Sequence, residues 1–225
     1  EWTAPQTDIY LAPTQEIKRH LMKEGTRAED ILVTGIPVRQ QFLDVDYRQK
    51  RERNRTRRVL IMGGGLGLMP DLKELLEKLH SMQGVESVVI TGKNHKLYEE
   101  WVNRYEDVEV LGYTENISRY MRRADLVITK AGGITLFEIL HSQVPLFVIH
   151  PFLEQEMNNA RYAAEKGFAK VVWGRHEDYI PELEKLLSDE KMMKEMTGNV
   201  RRACKEMIEV SLDEAVGIME ERMTA

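Results

Sequence analysis

Two apolar periods alternate along most of this chain. Asp125-Leu126-Val127-Ile128-Thr129 is a short apolar run, continuous enough for a strand buried on both faces of a parallel sheet. After two glycines the pattern changes to helical spacing, with Ile134, Phe137, Ile139 and Leu140 as its apolar positions. From residue 58 onward the same exchange of periods repeats. It predicts strands near 59–62, 87–91, 108–110, 125–129, 145–149 and 170–173. It predicts helices near 69–82, 95–104, 116–122, 134–142, 155–166, 178–187, 189–208 and 211–223. Regular strand–helix repeats of this kind imply an α/β fold, a Rossmann-like parallel sheet with helices on both faces joined by right-handed crossovers. Ligands on such sheets bind beyond the carboxyl ends of the strands, so the strand-to-helix loops are where chemistry is expected.

The first part of the chain is different. Asp8 to Pro13 reads as a short strand, Thr14 as the cap of a helix with Ile17, Leu21 and Met22, and Ile31 to Val38 as an extended segment closed by Gly35 and Pro37. Strand, helix and strand cannot bury a sheet alone, so residues 1–57 are expected to be the tail of a preceding domain plus a linker. From Asp46 to Arg58 there are seven basic residues and no aliphatic one. This is either a solvated connector or a local basic patch that touches anionic lipid head groups, where each Lys or Arg contributes about 1 kcal/mol.

Composition narrows the classes. With 42% hydrophobic and 31% charged residues, the chain is an ordinary globular protein and not bulk disorder. A net charge of -5 argues against nucleic acid as a partner. The single cysteine, Cys204, excludes an internal disulfide and lies in an amphipathic helical pattern, as a packed residue would. No apolar run approaches the roughly 18 residues of a spanning helix, and the opening residues do not read as a signal peptide. The chain does not begin with methionine, which fits a fragment or processed product.

Five loops carry candidate chemistry. A strand that turns through Gly132-Gly133 into a helix presents free backbone N–H groups and a positive helix end, a site suited to a diphosphate. Glu138, one turn into that helix, can accept two hydrogen bonds from a ribose diol; the alternative is a packing turn with Glu138 as a solvated helix residue. The loop after the first strand of the sheet, Gly63-Gly64-Gly65-Leu66-Gly67, lets backbone approach an anionic ligand closely. It lacks Gly-Lys-Ser/Thr, so it is not a Walker loop, and Leu68 departs from the dinucleotide fingerprint. No ribose-holding acid ends the second strand, Val89 to Asn94, which disfavours a nicotinamide dehydrogenase. Lys93 there is either a surface residue or a cation for a diphosphate. Gly112-Tyr113 offers backbone for a planar base, while Asn116 is a candidate helix cap. Gln155, Glu156, Asn158 and Asn159 crowd one helix start, more polar groups than capping needs and suited to sugar hydroxyls. His150 before Pro151 is read as a buried histidine or a catalytic one. There is no metal-ligand spacing among the six histidines and no Gly-x-Ser-x-Gly elbow.

Taken together, Gly63-Gly64-Gly65-Leu66-Gly67, Gly112-Tyr113, Lys130-Ala131-Gly132-Gly133-Ile134-Thr135-x-x-Glu138 and Gln155-Glu156-x-x-Asn159 resemble one glycosyltransferase group in order and spacing. That group holds the monogalactosyldiacylglycerol synthases, the processive diacylglycerol glucosyltransferases and the peptidoglycan lipid-linked N-acetylglucosaminyltransferase. The glycine loop and the Gln-Glu-x-x-Asn loop look closer to the diacylglycerol branch. Leu153-Glu154 departs from the Pro-Gly that often precedes Gln-Glu there.

The resemblance implies the C-terminal half of a GT-B fold. Residues 58–208 would be the nucleotide-sugar-binding domain, and 209–225 a helix returning to the N-terminal domain across the cleft. It implies that Gly132, Gly133, Ile134 and Thr135 hold the donor diphosphate, that Glu138 binds the ribose, and that the Gly112–Tyr113 backbone meets the uracil. Gln155, Glu156 and Asn159 would contact the hexose of UDP-glucose or UDP-galactose, while Gly64, Gly65, Leu66 and Gly67 line the cleft with Lys93 nearby. Such enzymes invert the anomeric centre without a metal or other cofactor. Their general base and lipid-acceptor surface lie in the N-terminal domain, so the isolated chain is expected to bind donor without turnover, and the whole protein to be cytoplasmic and peripheral on the membrane. A UDP-N-acetylglucosamine 2-epimerase and a non-catalytic domain of the same fold are the alternatives.

Overall fold

The computed structural model describes residues 7–43, 56–63, 71–174 and 177–224. The chain forms two units, residues 1–38 with 202–225, and residues 39–201.

In the larger unit, six short apolar segments become strands: β3 (Arg57–Met62), β4 (Val85–Ile90), β5 (Val108–Leu111), β6 (Leu126–Thr129), β7 (Leu146–Ile149) and β8 (Ala169–Val172). They pair in parallel in the order β5-β4-β3-β6-β7-β8. All four residues of β6 and of β7 are buried, which is why these segments read as continuous apolar runs. The helices follow the expected alternation: α3 (Leu72–Ser81), α4 (His95–Trp101), α5 (Ile117–Arg123), α6 (Gly133–Ser142), α7 (Glu154–Glu165), α8 (Ile180–Ser188) and α9 (Glu190–Glu206), the last continuing into the smaller unit. Leu72, Leu75, Leu76 and Leu79 make one stripe of α3 and pack in a cluster with Val59, Ile61, Leu126, Ile128, Phe147 and Ile149 of the sheet. Side-chain caps start two helices: Asn94 Oδ1 accepts from Leu97 N at 3.0 Å, and Asp189 Oδ1 accepts from Met192 N at 2.9 Å. The strand order places a reversal between β3 and β6, so crossovers run one way toward β5 and the other way toward β8. The crevice beyond the carboxyl ends of β3 and β6 is where this topology seats ligands.

An additional helix, α2 (Gln40–Leu43), opens the larger unit. Gln41 ties it to α5: its amide donates to Glu115 O at 2.7 Å and accepts from Ser118 Oγ at 2.8 Å.

The smaller unit contains a two-stranded parallel sheet of β1 (Tyr10–Ala12) and β2 (Ile31–Val33), joined by α1 (Gln15–Lys23). Thr14 caps α1, as expected, by accepting from Ile17 N at 3.3 Å. The extended segment expected over 31–38 is a strand only as far as Val33; Thr34 N–H adds one more bond, to Ala12 O at 3.1 Å, where β1 ends. The chain's final helix, α10 (Leu212–Thr224), reaches back through Arg222, which donates to Asp30 Oδ1 at 2.6 Å and to Glu29 O at 2.8 Å. Hydrogen bonds from Arg222 and Arg27 hold the Asp30 carboxyl below the usual carboxylate range.

Gly198 lies exposed in the interior of α9, and a Cβ there would meet nothing within 4 Å. Gly198→Ala is expected to stabilise the protein by about 0.5–1 kcal/mol through backbone entropy alone. Thermal unfolding should show this as a rise of roughly 1–4 °C.

Candidate functional site

The turn from β6 into α6 is built on an unusual backbone. Ala131, fully buried, sits in the left-handed region at φ 59°, a conformation that costs a non-glycine residue about 1–3 kcal/mol. Asn159 holds it: its side-chain amide donates to the Ala131 carbonyl at 2.9 Å. Gly132 is then extended (φ -60°, ψ 152°), and its carbonyl accepts the first helical bond, from Leu136 N at 2.9 Å. Its N-cap residue, Gly132, has no side chain to cap this helix end. The amides of Gly133, Ile134 and Thr135 therefore open α6 without the intrahelical partners that later residues have, at the positive end of its dipole. Among the described residues a Cβ at Gly132 would meet only Thr135 Oγ1, at 3.9 Å, so neither their packing nor φ demands a glycine there.

Glu138 is not solvated. It is 4% exposed, and its Oε1 accepts from Arg39 Nε at 3.0 Å and Nη2 at 2.8 Å. Burial pushes its carboxyl above the ordinary range, and Arg39 pulls in the opposite direction. The Arg39 guanidinium also lies over the Phe42 ring, 5.3 Å from its centroid. Nothing in the local sequence pattern marks Arg39: it stands just before a four-residue helix, and its partner lies 99 positions further on.

The other expected residues gather at the same edge of the sheet. Lys93 is exposed just past β4, and Gly112 and Tyr113 follow β5, with Tyr113 67% exposed. A Cβ on Gly112 would lie 3.9 Å from Gly92 O, an ordinary contact. Asn116 does not cap α5 with its side chain; its N–H donates to Thr114 Oγ1 at 3.2 Å. At the start of α7, Glu156 Oε2 accepts from the N–H groups of Phe152 and Leu153 at 3.3 and 3.4 Å, and so caps its own helix. Asn158 accepts from Arg161 at 2.9 Å, and Asn159 is committed to Ala131, which leaves Gln155 exposed at this helix start. Gly64, Gly65, Leu66 and Gly67 lie outside the described residues, as does the basic stretch up to Arg55.

His150 is buried at φ 48°, with Nε2 3.1 Å from Glu177 O and its ring edge-on to Tyr179. Burial pushes the Tyr179 phenol up, and likewise the thiol of the half-buried Cys204. At the opposite, amino-terminal edge of the sheet is a hollow of about 420 Å³ lined by Arg58, Glu86, Ser87, Tyr120 and Arg123. Its charges pair across it, Arg58 to Glu86 at 3.1 Å, and it is remote from the strand-to-helix loops. Among the described residues no group of three or more His, Cys, Asp or Glu could hold a metal ion.

The glycosyltransferase family 28 C-terminal domain matches residues 58–212. The chain belongs to this family. It is 36% identical over 213 residues to a processive diacylglycerol beta-glucosyltransferase of Bacillus licheniformis, covering 89% of this chain and 54% of that protein. A second such enzyme, from Bacillus subtilis, is 34% identical over 209 residues, with 89% and 54% covered. The chain thus spans about half the length of the curated relatives it matches. Among solved structures, the glycotransferase of kitacinnamycin superposes with a TM-score of 0.66 at 19% identity, over 88% of this chain and 51% of that one. A putative UDP-N-acetylglucosamine 2-epimerase from Listeria monocytogenes reaches 0.61 at 19% identity, over 85% and 54%. At these identities the likeness is one of fold. The family and the Rossmann-like, GT-B half expected from the motifs are thereby established.

Because the raised Glu138 carboxyl binds its proton more tightly in the folded protein, its contribution to stability is full below the ordinary glutamate range. It is lost as pH rises through the raised value. Glu138→Gln, which cannot titrate, should therefore gain on the unaltered protein as pH is raised from about 4 to about 8. Urea unfolding at several pH values measures the difference; a gap that widens in the other direction contradicts the assignment.

Proposed function

We propose that this chain is the donor-binding part of an inverting, UDP-sugar-dependent hexosyltransferase whose acceptor is a membrane lipid, diacylglycerol. The observation that carries the reading is the pairing of an uncapped α6 N-terminus with a buried carboxylate one turn further along the same helix. A nucleoside diphosphate asks for those two groups together: amides and a positive helix end for the phosphates, and an acceptor for the ribose hydroxyls. In this reading Gly132, Gly133, Ile134 and Thr135 receive the diphosphate, and the unfilled space beside Gly132 admits it. Glu138 takes the ribose, Gly112 and Tyr113 the uracil, and Gln155 the hexose, while Asn159 and Glu156 shape the loops around it. Gly64 to Gly67 and Lys93 complete the crevice.

Chemically, this half of the site serves the leaving group. Charge that develops on the diphosphate as the glycosidic bond breaks faces amides already oriented by the α6 turn, with no metal needed. The general base and acceptor surface belong to the rest of the protein. The names of the B. licheniformis and B. subtilis relatives support a glucosyl donor and a diacylglycerol acceptor. The basic stretch from Asp46 to Arg58 supports peripheral contact with an anionic membrane; no described helix is long and apolar enough to cross one. The epimerase alternative shares the fold, but the family match favours transfer.

Calorimetric titration of the chain with UDP and UDP-glucose is expected to show binding without turnover. Glu138→Ala should weaken it by about 1–3 kcal/mol, as for a lost charged hydrogen bond. Equal affinity in the variant would remove Glu138 from the site. Acceptor-free conversion of UDP-N-acetylglucosamine would establish the epimerase instead.

A further inference from the structure

We infer that Arg39 is a positioning residue for the donor site: it fastens one oxygen of the Glu138 carboxylate so that the other is presented to the ribose diol. The inference rests on the donor-binding reading above and adds to it a residue outside the glycine turn.

The geometry is one-sided. An arginine and a carboxylate commonly meet fork to fork, with one N–H on each oxygen. Here both Nε and Nη2 of Arg39 donate to Oε1, at 3.0 and 2.8 Å. A carboxylate has about four lone-pair sites, two on each oxygen. Arg39 fills those of Oε1, and Oε2 makes no hydrogen bond among the described residues. Since no fully buried side-chain oxygen or nitrogen among them lacks a partner, Oε2 is not sealed off, even though the residue as a whole is only 4% exposed. Two free acceptor sites on one oxygen of a fixed carboxylate match two vicinal hydroxyl donors.

Arg39 also sets the charge of the group. Burial alone drives the carboxyl toward its neutral form, and Arg39 is the charge that opposes it. Without the guanidinium the carboxyl would be free to rotate and would hold a proton more readily, and a neutral acid accepts weaker hydrogen bonds than a carboxylate. Arg39 is itself held in place, with its guanidinium over the Phe42 ring and α2 anchored to α5 through Gln41.

The test uses the 225-residue chain with two probes, UDP and 2′,3′-dideoxyuridine diphosphate, which lacks the diol. Arg39→Ala is expected to weaken UDP binding about 10-fold and to leave the dideoxy probe almost unchanged. Arg39→Lys, which keeps the charge, should recover part of the loss. In a Glu138→Gln background, Arg39→Ala should cost nothing further, because the two residues act as one unit. Equal weakening of both probes, or full additivity with Glu138→Gln, would show that Arg39 touches the diphosphate or serves only the fold, and would overturn the inference. An unchanged UDP affinity in Arg39→Ala, with Glu138→Gln still weakened, would overturn it and leave the donor site standing. If UDP fails to bind the unaltered chain, the donor-site reading falls and takes the inference with it. Thermal melts of each variant separate loss of binding from loss of folding.

Discussion

β3 is hydrogen-bonded in parallel to β4 along its whole length and to β6 over Val59–Ile61, so the sheet grows outward from it in both directions. Right-handed crossovers from this centre must then diverge, one set toward β5 and the other toward β8. Every loop with candidate chemistry is brought to one edge by that single arrangement: Gly63 after β3, Lys93 after β4, Gly112 after β5, Gly132 after β6 and Gln155 after β7. The opposite edge carries paired charges, as Arg58 and Glu86 illustrate. No residue in these loops needs to be near another in sequence for the site to assemble, provided the strands register as they do.

Within that edge, two unfavourable local states support each other. The left-handed Ala131 lies in the turn that leads into α6, and Asn159 from a different helix stabilises it. The buried Glu138 resists ionisation, and Arg39, just before α2, opposes that resistance. In both cases the strained or desolvated group lies on the segment that faces the crevice, and the supporting group comes from outside it. Strained and desolvated groups that are supported from elsewhere in the fold cluster at functional sites.

How much of this could be read from the chain differs by kind of information. The strands and most helices were legible because burial on both faces of a parallel sheet leaves uninterrupted apolar runs, and one-sided burial leaves a 3.6 period. The glycine turn into α6 and the position of Glu138 on it were legible for the same reason, since both are consequences of local spacing. Arg39 was not. A four-residue helix has no period to detect, and its bond to Glu138 is fixed by tertiary packing across 99 positions. The polar cluster at the start of α7 was legible as a cluster but not in its division of labour. Whether Glu156 caps its helix, or Asn159 reaches back to Ala131, depends on side-chain directions that composition does not specify.

The division of the chain into units has a consequence for how it acquires its structure. The larger unit is one uninterrupted segment, residues 39–201, whereas the smaller is assembled from both sides of it. Arg222 and Asp30 meet across 192 positions, and Lys18 and Glu209 across 191. Closing an open loop of that size carries an entropic cost that grows with the logarithm of its length. If residues 39–201 have already condensed, most of the loop is already ordered before that closure. During synthesis, then, the larger unit is free to fold as it leaves the ribosome, while Asp30 has Arg27 beside it before Arg222 of the last helix emerges.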